Sequence, residues 1–116
     1  MTLTEVDLQQ RTELLHQIRD ALRQVIDPEL GYNIFDLGLI YDIMIADGGT
    51  VEVVMTTTTP GCPATSYLTT GAGHAVSAVA GVTSVDVELT HDPRWTPGLM
   101  SPEAKAHFGI KDGEGW

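Results

Sequence analysis

The chain has 116 residues, 42% of them hydrophobic and 19% charged, which suits one globular domain able to bury its own core. Six Lys and Arg against 16 Asp and Glu give a formal net charge of −10. That speaks against nucleic acid and against an anionic membrane surface, because both are held by clustered basic side chains.

A single cysteine excludes an intrachain disulfide and points to a reducing compartment. No apolar run approaches the roughly 20 residues that span a bilayer. Met1–Asp7 carries neither the basic nor the apolar part of a secretion signal, so the expected location is cytoplasmic.

Asp7-Leu8-Gln9-Gln10 has the form of a capping box, an acid followed three residues later by glutamine. Leu14, Leu15, Ile18, Leu22 and Val25 then recur at helical spacing with polar residues between them. This predicts an amphipathic helix that stops near Ile26, since Asp27-Pro28 turns the chain away from αR. Residues 27–38 mix turn formers with Leu30, Ile34, Phe35 and Leu37 and predict an ordered loop on the core. Asp27, Glu29 and Asp36 put three carboxyl groups in that loop, where acids also serve simply as turn caps.

Leu39 to Ala46 alternates, with Leu39, Tyr41, Ile43 and Ile45 on one face. Asp47-Gly48-Gly49 signals a hairpin, and Thr50 to Thr56 is the antiparallel return strand with Val51, Val53 and Met55 inward. A second helix carries Leu68, Ala72, Ala75 and Val79. Gly71-Ala72-Gly73 lies inside it, at a cost of about 0.8–1 kcal/mol per glycine relative to alanine, and suits close packing on the sheet or on a second subunit. Gly81 closes that helix, and Val82 to Thr90 is a third strand with Val85, Val87 and Leu89 inward. A strand–helix–strand connection makes the second and third strands parallel. Ser101-Pro102-Glu103 caps a short last helix that ends at Gly109. The expected fold is therefore α/β (α+β), in the order α-β-β-α-β-α. Its helices pack on a small mixed three-stranded sheet. It forms one domain over 1–116, with a core over about 8–109 and a frayed tail over 110–116.

The stretch with the most chemistry is Thr56-Thr57-Thr58-Thr59-Pro60-Gly61-Cys62-Pro63, between the second strand and the second helix. If the helix starts at Pro63 or Ala64, Cys62 sits at or beside its N-cap, where backbone N–H groups ease loss of the thiol proton. A lone cysteine is also commonly a small buried hydrophobe. His91 and Asp92 end the third strand, at the sheet edge where Cys62 follows the second. Cys62 with His91 could form a thiol nucleophile and base. Cys62, His91, Asp92 and Asp36 could form a zinc site only if the fold gathers them. There is no phosphate loop, no Ser-centred elbow and no Cys-x-x-Cys.

Read together, the motifs resemble the SufT/PaaD-like metal–sulfur cluster assembly family. They are Asp27-Pro28-Glu29-Leu30, Asn33 through Tyr41, Met55-Thr56, Thr59-Pro60-Gly61-Cys62-Pro63, Gly81-Val82, Val85-Asp86-Val87, Asp92 through Pro97 and Met100-Ser101. PaaD-like members carry further C-terminal cysteines, so this chain is more similar to the short, single-cysteine SufT-like type. Its glycine-bearing helix departs from the more charged helix of relatives. The resemblance implies a non-catalytic iron–sulfur assembly or maturation factor that builds or delivers clusters to apo-clients. Its partners would be those clients and cluster scaffold or carrier proteins. It puts a transient cluster or iron ligand on Cys62, with Asp27, Glu29, Asp36, Thr59, His91 and Trp95 in support. An iron–sulfur cluster generally needs four thiolate-type ligands. Cys62 would then share a labile cluster with a second subunit, as in a homodimer, or with a client; alternatively the domain is an adaptor. The first is favoured because a helix N-terminus stabilises a thiolate. The other readings are an accessory structural subunit of a metalloenzyme complex and a small thiol enzyme using Cys62 and His91.

Overall fold

Three alternating runs make the sheet. In a computed structural model that describes residues 5–110, β3 (Ile40–Ile45), β4 (Thr50–Met55) and β5 (Ser84–Leu89) pair in that order. The β3–β4 pair is antiparallel and the β4–β5 pair parallel, in register from Thr50↔Ser84 to Met55↔Leu89. The mixed three-stranded sheet read from the sequence is the one found. The expected loop over 27–38 also contains a two-residue antiparallel pair, β1 (Ile26–Asp27) with β2 (Tyr32–Asn33). So short a pair has no periodicity to read.

Helix α1 (Glu5–Leu22) ends earlier than expected, and Val25 follows it in a buried turn. The helix is already formed at Glu5, so Asp7 lies within it and not at a cap; the Asp7 side chain and residues 111–116 lie outside the described residues. Ile18 and Leu22 face α2 (Thr65–Ser77) and the inner face of the sheet, where Val51, Val53 and Met55 are fully buried. Each such side chain contributes about 1.5–3 kcal/mol on leaving water. Leu89, expected inward, is 39% exposed because it ends an edge strand. Within α2 the buried stripe is Leu68, Ala72 and Val76, with Ala75 and Val79 at its margin.

The small residues of α2 serve the fold itself. A methyl group at Gly71 would stand 3.2 Å from the Val25 side chain, and one at Gly73 would stand 3.6 Å from Val87. Helix α3 (Pro102–Phe108) starts as read: the Ser101 hydroxyl accepts the Ala104 N–H, and Gly109 closes it at φ +72°. Ile110, assigned to the tail from sequence, packs on the core and donates its N–H to Lys105 O.

Gly73→Ala should stabilise the fold by about 1 kcal/mol, because the site accepts a methyl at ordinary contact distance and helix propensity improves. Gly38→Ala should cost about 1–3 kcal/mol, since φ is +80° and the new methyl would collide with Leu99 O. Urea unfolding of the two variants checks both signs.

Candidate functional site

Parallel pairing of β4 and β5 opens their C-terminal ends on one sheet edge, and the ladder runs one step further through Thr90 N–H to Met55 O at 2.8 Å. Past Met55 the chain makes a tight loop. The buried Thr57 hydroxyl donates to Thr59 O at 2.8 Å. Its oxygen stands 3.0 Å from His91 Nε2, so the network assigns the imidazole proton to Nε2, donating to Thr57. Thr59 O also accepts the Cys62 N–H, at 3.2 Å. Gly61 takes φ +75°, a conformation costly to any residue with a Cβ. The Cys62 carbonyl accepts both the N–H and the hydroxyl of Thr65. These bonds fix the cysteine, and they delay the helix to Thr65.

The Cys62 thiol donates to Glu29 Oε1 at 3.0 Å. Cys62 is only 8% exposed, whereas Glu29 is exposed, so the thiol meets solvent past this carboxylate. Asp27 sets the geometry of Glu29. Its Oδ1 accepts the Glu29 N–H at 2.7 Å, and its carbonyl accepts the Gly31 N–H at 2.7 Å. Asp27 is buried, and its Oδ2 has no hydrogen-bond partner.

This arrangement reverses the expectation of an easily ionised thiol. The hydrogen bond to Glu29 holds the Cys62 thiol above its ordinary value of 9.0, and burial and the charges of Glu29 and Asp27 push the same way. The Ala64 N–H pulls the other way and is outweighed. The helix begins at Thr65, so of its N-terminal groups only the Ala64 N–H reaches the sulfur, against two acids that act on the thiol.

The other expected residues divide. Asp27 and Glu29 lie at Cys62. Thr59 contributes its carbonyl to the loop. His91 bonds Thr57, while Cys62 bonds Glu29, so the thiol lacks the imidazole partner that a thiol enzyme would use. The Asp36 carboxylate accepts from Asn33 Nδ2 at 2.9 Å and lies 3.6 Å from Arg23 Nε, and its carbonyl accepts the Ser101 N–H. Trp95 Nε1 donates to Leu37 O at 2.7 Å, and the Tyr41 hydroxyl donates to Pro93 O at 2.7 Å. Asp36 and Trp95 thus tie the 33–38 loop to the segment after β5. The zinc set of Cys62, His91, Asp92 and Asp36 is not gathered: among the described residues no three His, Cys, Asp or Glu form a cluster that could hold a metal ion. Sequence reasoning missed Thr57; its only signal was that the inward-facing pattern of β4 continues into hydroxyl residues. An open cleft of about 970 Å³ lies at the other end of the sheet, between α1 and the β3–β4 turn near Arg11, Gln17 and Asp47. It contains neither cysteine nor histidine, so chemistry and not size locates the candidate site.

Residues 15–88, which include the Asp27–Glu29 turn, the thiol and the parallel pair, match the family described as "Iron-sulfur cluster assembly protein". The chain belongs to this family. The "Fe-S protein maturation auxiliary factor" of Porphyromonas gingivalis is 42% identical over 89 residues, 77% of this chain and 85% of that one. The "Fe-S protein maturation auxiliary factor SufT" of Staphylococcus aureus is 35% identical over 86 residues, 74% of this chain and 98% of that one. Among solved structures, a "Domain of Unknown Function DUF59" from Bacillus anthracis aligns with a TM-score of 0.80 at 32% identity, covering 86% of this chain and 95% of that one. The SufT-like resemblance read from the motifs therefore holds. Among the described residues no helix is long and apolar enough to cross a membrane.

Glu29→Gln should move the pH profile of Cys62 alkylation by iodoacetamide to lower pH. The charged acceptor that holds the proton on sulfur is removed, so thiolate forms earlier and labelling near neutral pH speeds up. An unchanged profile would mean that Glu29 does not control the thiol.

Proposed function

We propose that this chain is an iron–sulfur maturation factor that docks apo-clients or cluster carriers and lends Cys62 as a transient ligand to the cluster or its iron. The observation that carries this reading is the placement of the one thiol. It is fixed by its loop at the open edge of the sheet, and an exposed carboxylate holds its proton. The names of the relatives support the same role.

The cluster is cargo here. Four thiolate-type ligands are usual for a cluster and this chain has one cysteine, so the residues present do not fit a resident cluster within one chain. The missing ligands come from a second copy, a carrier or the client. A non-catalytic role agrees with a thiol that has a carboxylate neighbour and no imidazole base. A guarded thiol also suits a delivery factor, because the thiolate is the form that oxidises and exchanges.

The test is activation of an apo-[4Fe–4S] enzyme by a cluster-loaded carrier under anaerobic conditions. Substoichiometric wild-type chain should accelerate activation, Cys62→Ser should not, and neither should act without the carrier. Equal stimulation by Cys62→Ser would overturn the ligand role.

A further inference from the structure

We propose that His91 is a positioning residue for Cys62: its ring donates to the Thr57 hydroxyl and so holds the loop that aims the thiol. The inference rests on the maturation reading and adds to it a residue that acts through the loop and not through the charge at sulfur.

The strand register makes the contact. Met55 lies opposite Leu89 in the parallel ladder, and the bond from the Thr90 N–H to Met55 O carries the pairing one step further. Two residues on from that pair, Thr57 and His91 stand level, with Nε2 3.0 Å from the Thr57 hydroxyl oxygen. Beyond His91 the chain is held again, by Tyr41 at Pro93 O and by the Trp95 ring at Leu37 O. The imidazole is therefore anchored on both sides.

The loop it supports depends on such bonds. Thr58 is half-buried, and Thr59, Pro60 and Gly61 are exposed, so packing contributes little and hydrogen bonds carry the shape. Thr59 O collects the Thr57 hydroxyl at 2.8 Å and the Cys62 N–H at 3.2 Å. The single hydroxyl proton of Thr57 is committed to Thr59, so its oxygen needs a donor, and among the described residues His91 supplies it. Thr57 is 1% exposed, so solvent does not replace a lost partner. Bonds in such a chain strengthen one another, and a buried hydroxyl without its donor loosens the turn that ends at Cys62.

The test is the rate of Cys62 alkylation by iodoacetamide, followed from neutral pH upward and below the melting transition of every variant. Cys62 is 8% exposed, so the reagent reaches it through opening of the loop. His91→Leu should raise the rate roughly two- to tenfold, the worth of one net hydrogen bond. Its ratio to wild type should be the same at every pH, whereas a change at Glu29 moves the profile itself. His91→Gln, whose amide N–H reaches the position of Nε2, should restore the wild-type rate. His91→Asn, one carbon shorter, should behave like His91→Leu. In a Thr57→Val background His91→Leu should add nothing. A wild-type rate in His91→Leu, a ratio that changes with pH, no restoration by His91→Gln, or additivity with Thr57→Val would overturn the proposal. If His91→Leu does not fold, His91→Gln and His91→Asn decide it, and equal rates in the two would overturn it. Carrier-dependent client activation should be slowed in His91→Leu and restored in His91→Gln; undiminished activation by His91→Leu in a chain that needs Cys62 would also overturn the role. If Cys62→Ser activates clients as wild type does, the maturation reading fails and the alkylation series still decides what His91 does. If Cys62→Ser is inactive while His91→Leu alkylates and activates like wild type, the positioning role fails and the maturation reading stands.

Discussion

Strand β4 is paired on both sides and buried on one face, and the position of Cys62 follows from where that strand stops. Antiparallel pairing with β3 fixes its register against Leu39, and parallel pairing with β5 brings His91 to the same edge. A one-residue slip would turn Val51, Val53 and Met55 to solvent, so the register is strongly enforced. The loop that leaves the strand is thus rigidly placed at its origin and satisfied internally by Thr57, Thr59 and Thr65. The β1–β2 turn needs only to present Asp27 and Glu29 against it.

The electrostatics at the thiol are a contest between weak and strong local terms. A helix N-terminus is worth about 0.3–1 kcal/mol to an anion and fades within the first turn. A direct hydrogen bond to a carboxylate, inside a partly buried pocket with a second acid nearby, outweighs it. The outcome is a thiol kept in its unreactive form. Reactive thiols in enzymes are built the other way, beside His⁺, Lys or a metal. A counter-charge arriving at Glu29 and Asp27 would reverse the balance.

Much of this was legible in the sequence. Alternation in 39–46, 51–55 and 85–89, helical spacing around Ile18 and Leu68, and the Ser101-Pro102 cap gave the element order and the mixed sheet, because binary pattern and capping are local signals. The Asp27-Pro28-Glu29 and Thr59-to-Pro63 motifs lie on two loops that meet in the fold. The Glu29–Cys62 contact spans 33 residues and depends on two loops meeting, which no spacing rule reports. The same holds for His91 turning to Thr57. The late start of α2 was hidden because Pro63 is equally at home in the first helical turn and in the turn before it.

The central claim is that Cys62 is a shared, transient ligand and not a buried bystander. Anaerobic reconstitution with iron and sulfide, counting both per chain alongside the visible absorption, tests it most directly. The account predicts a chromophore that depends on Cys62 and amounts to less than one cluster per chain. A chromophore that persists in Cys62→Ser, or none in wild type, would contradict it.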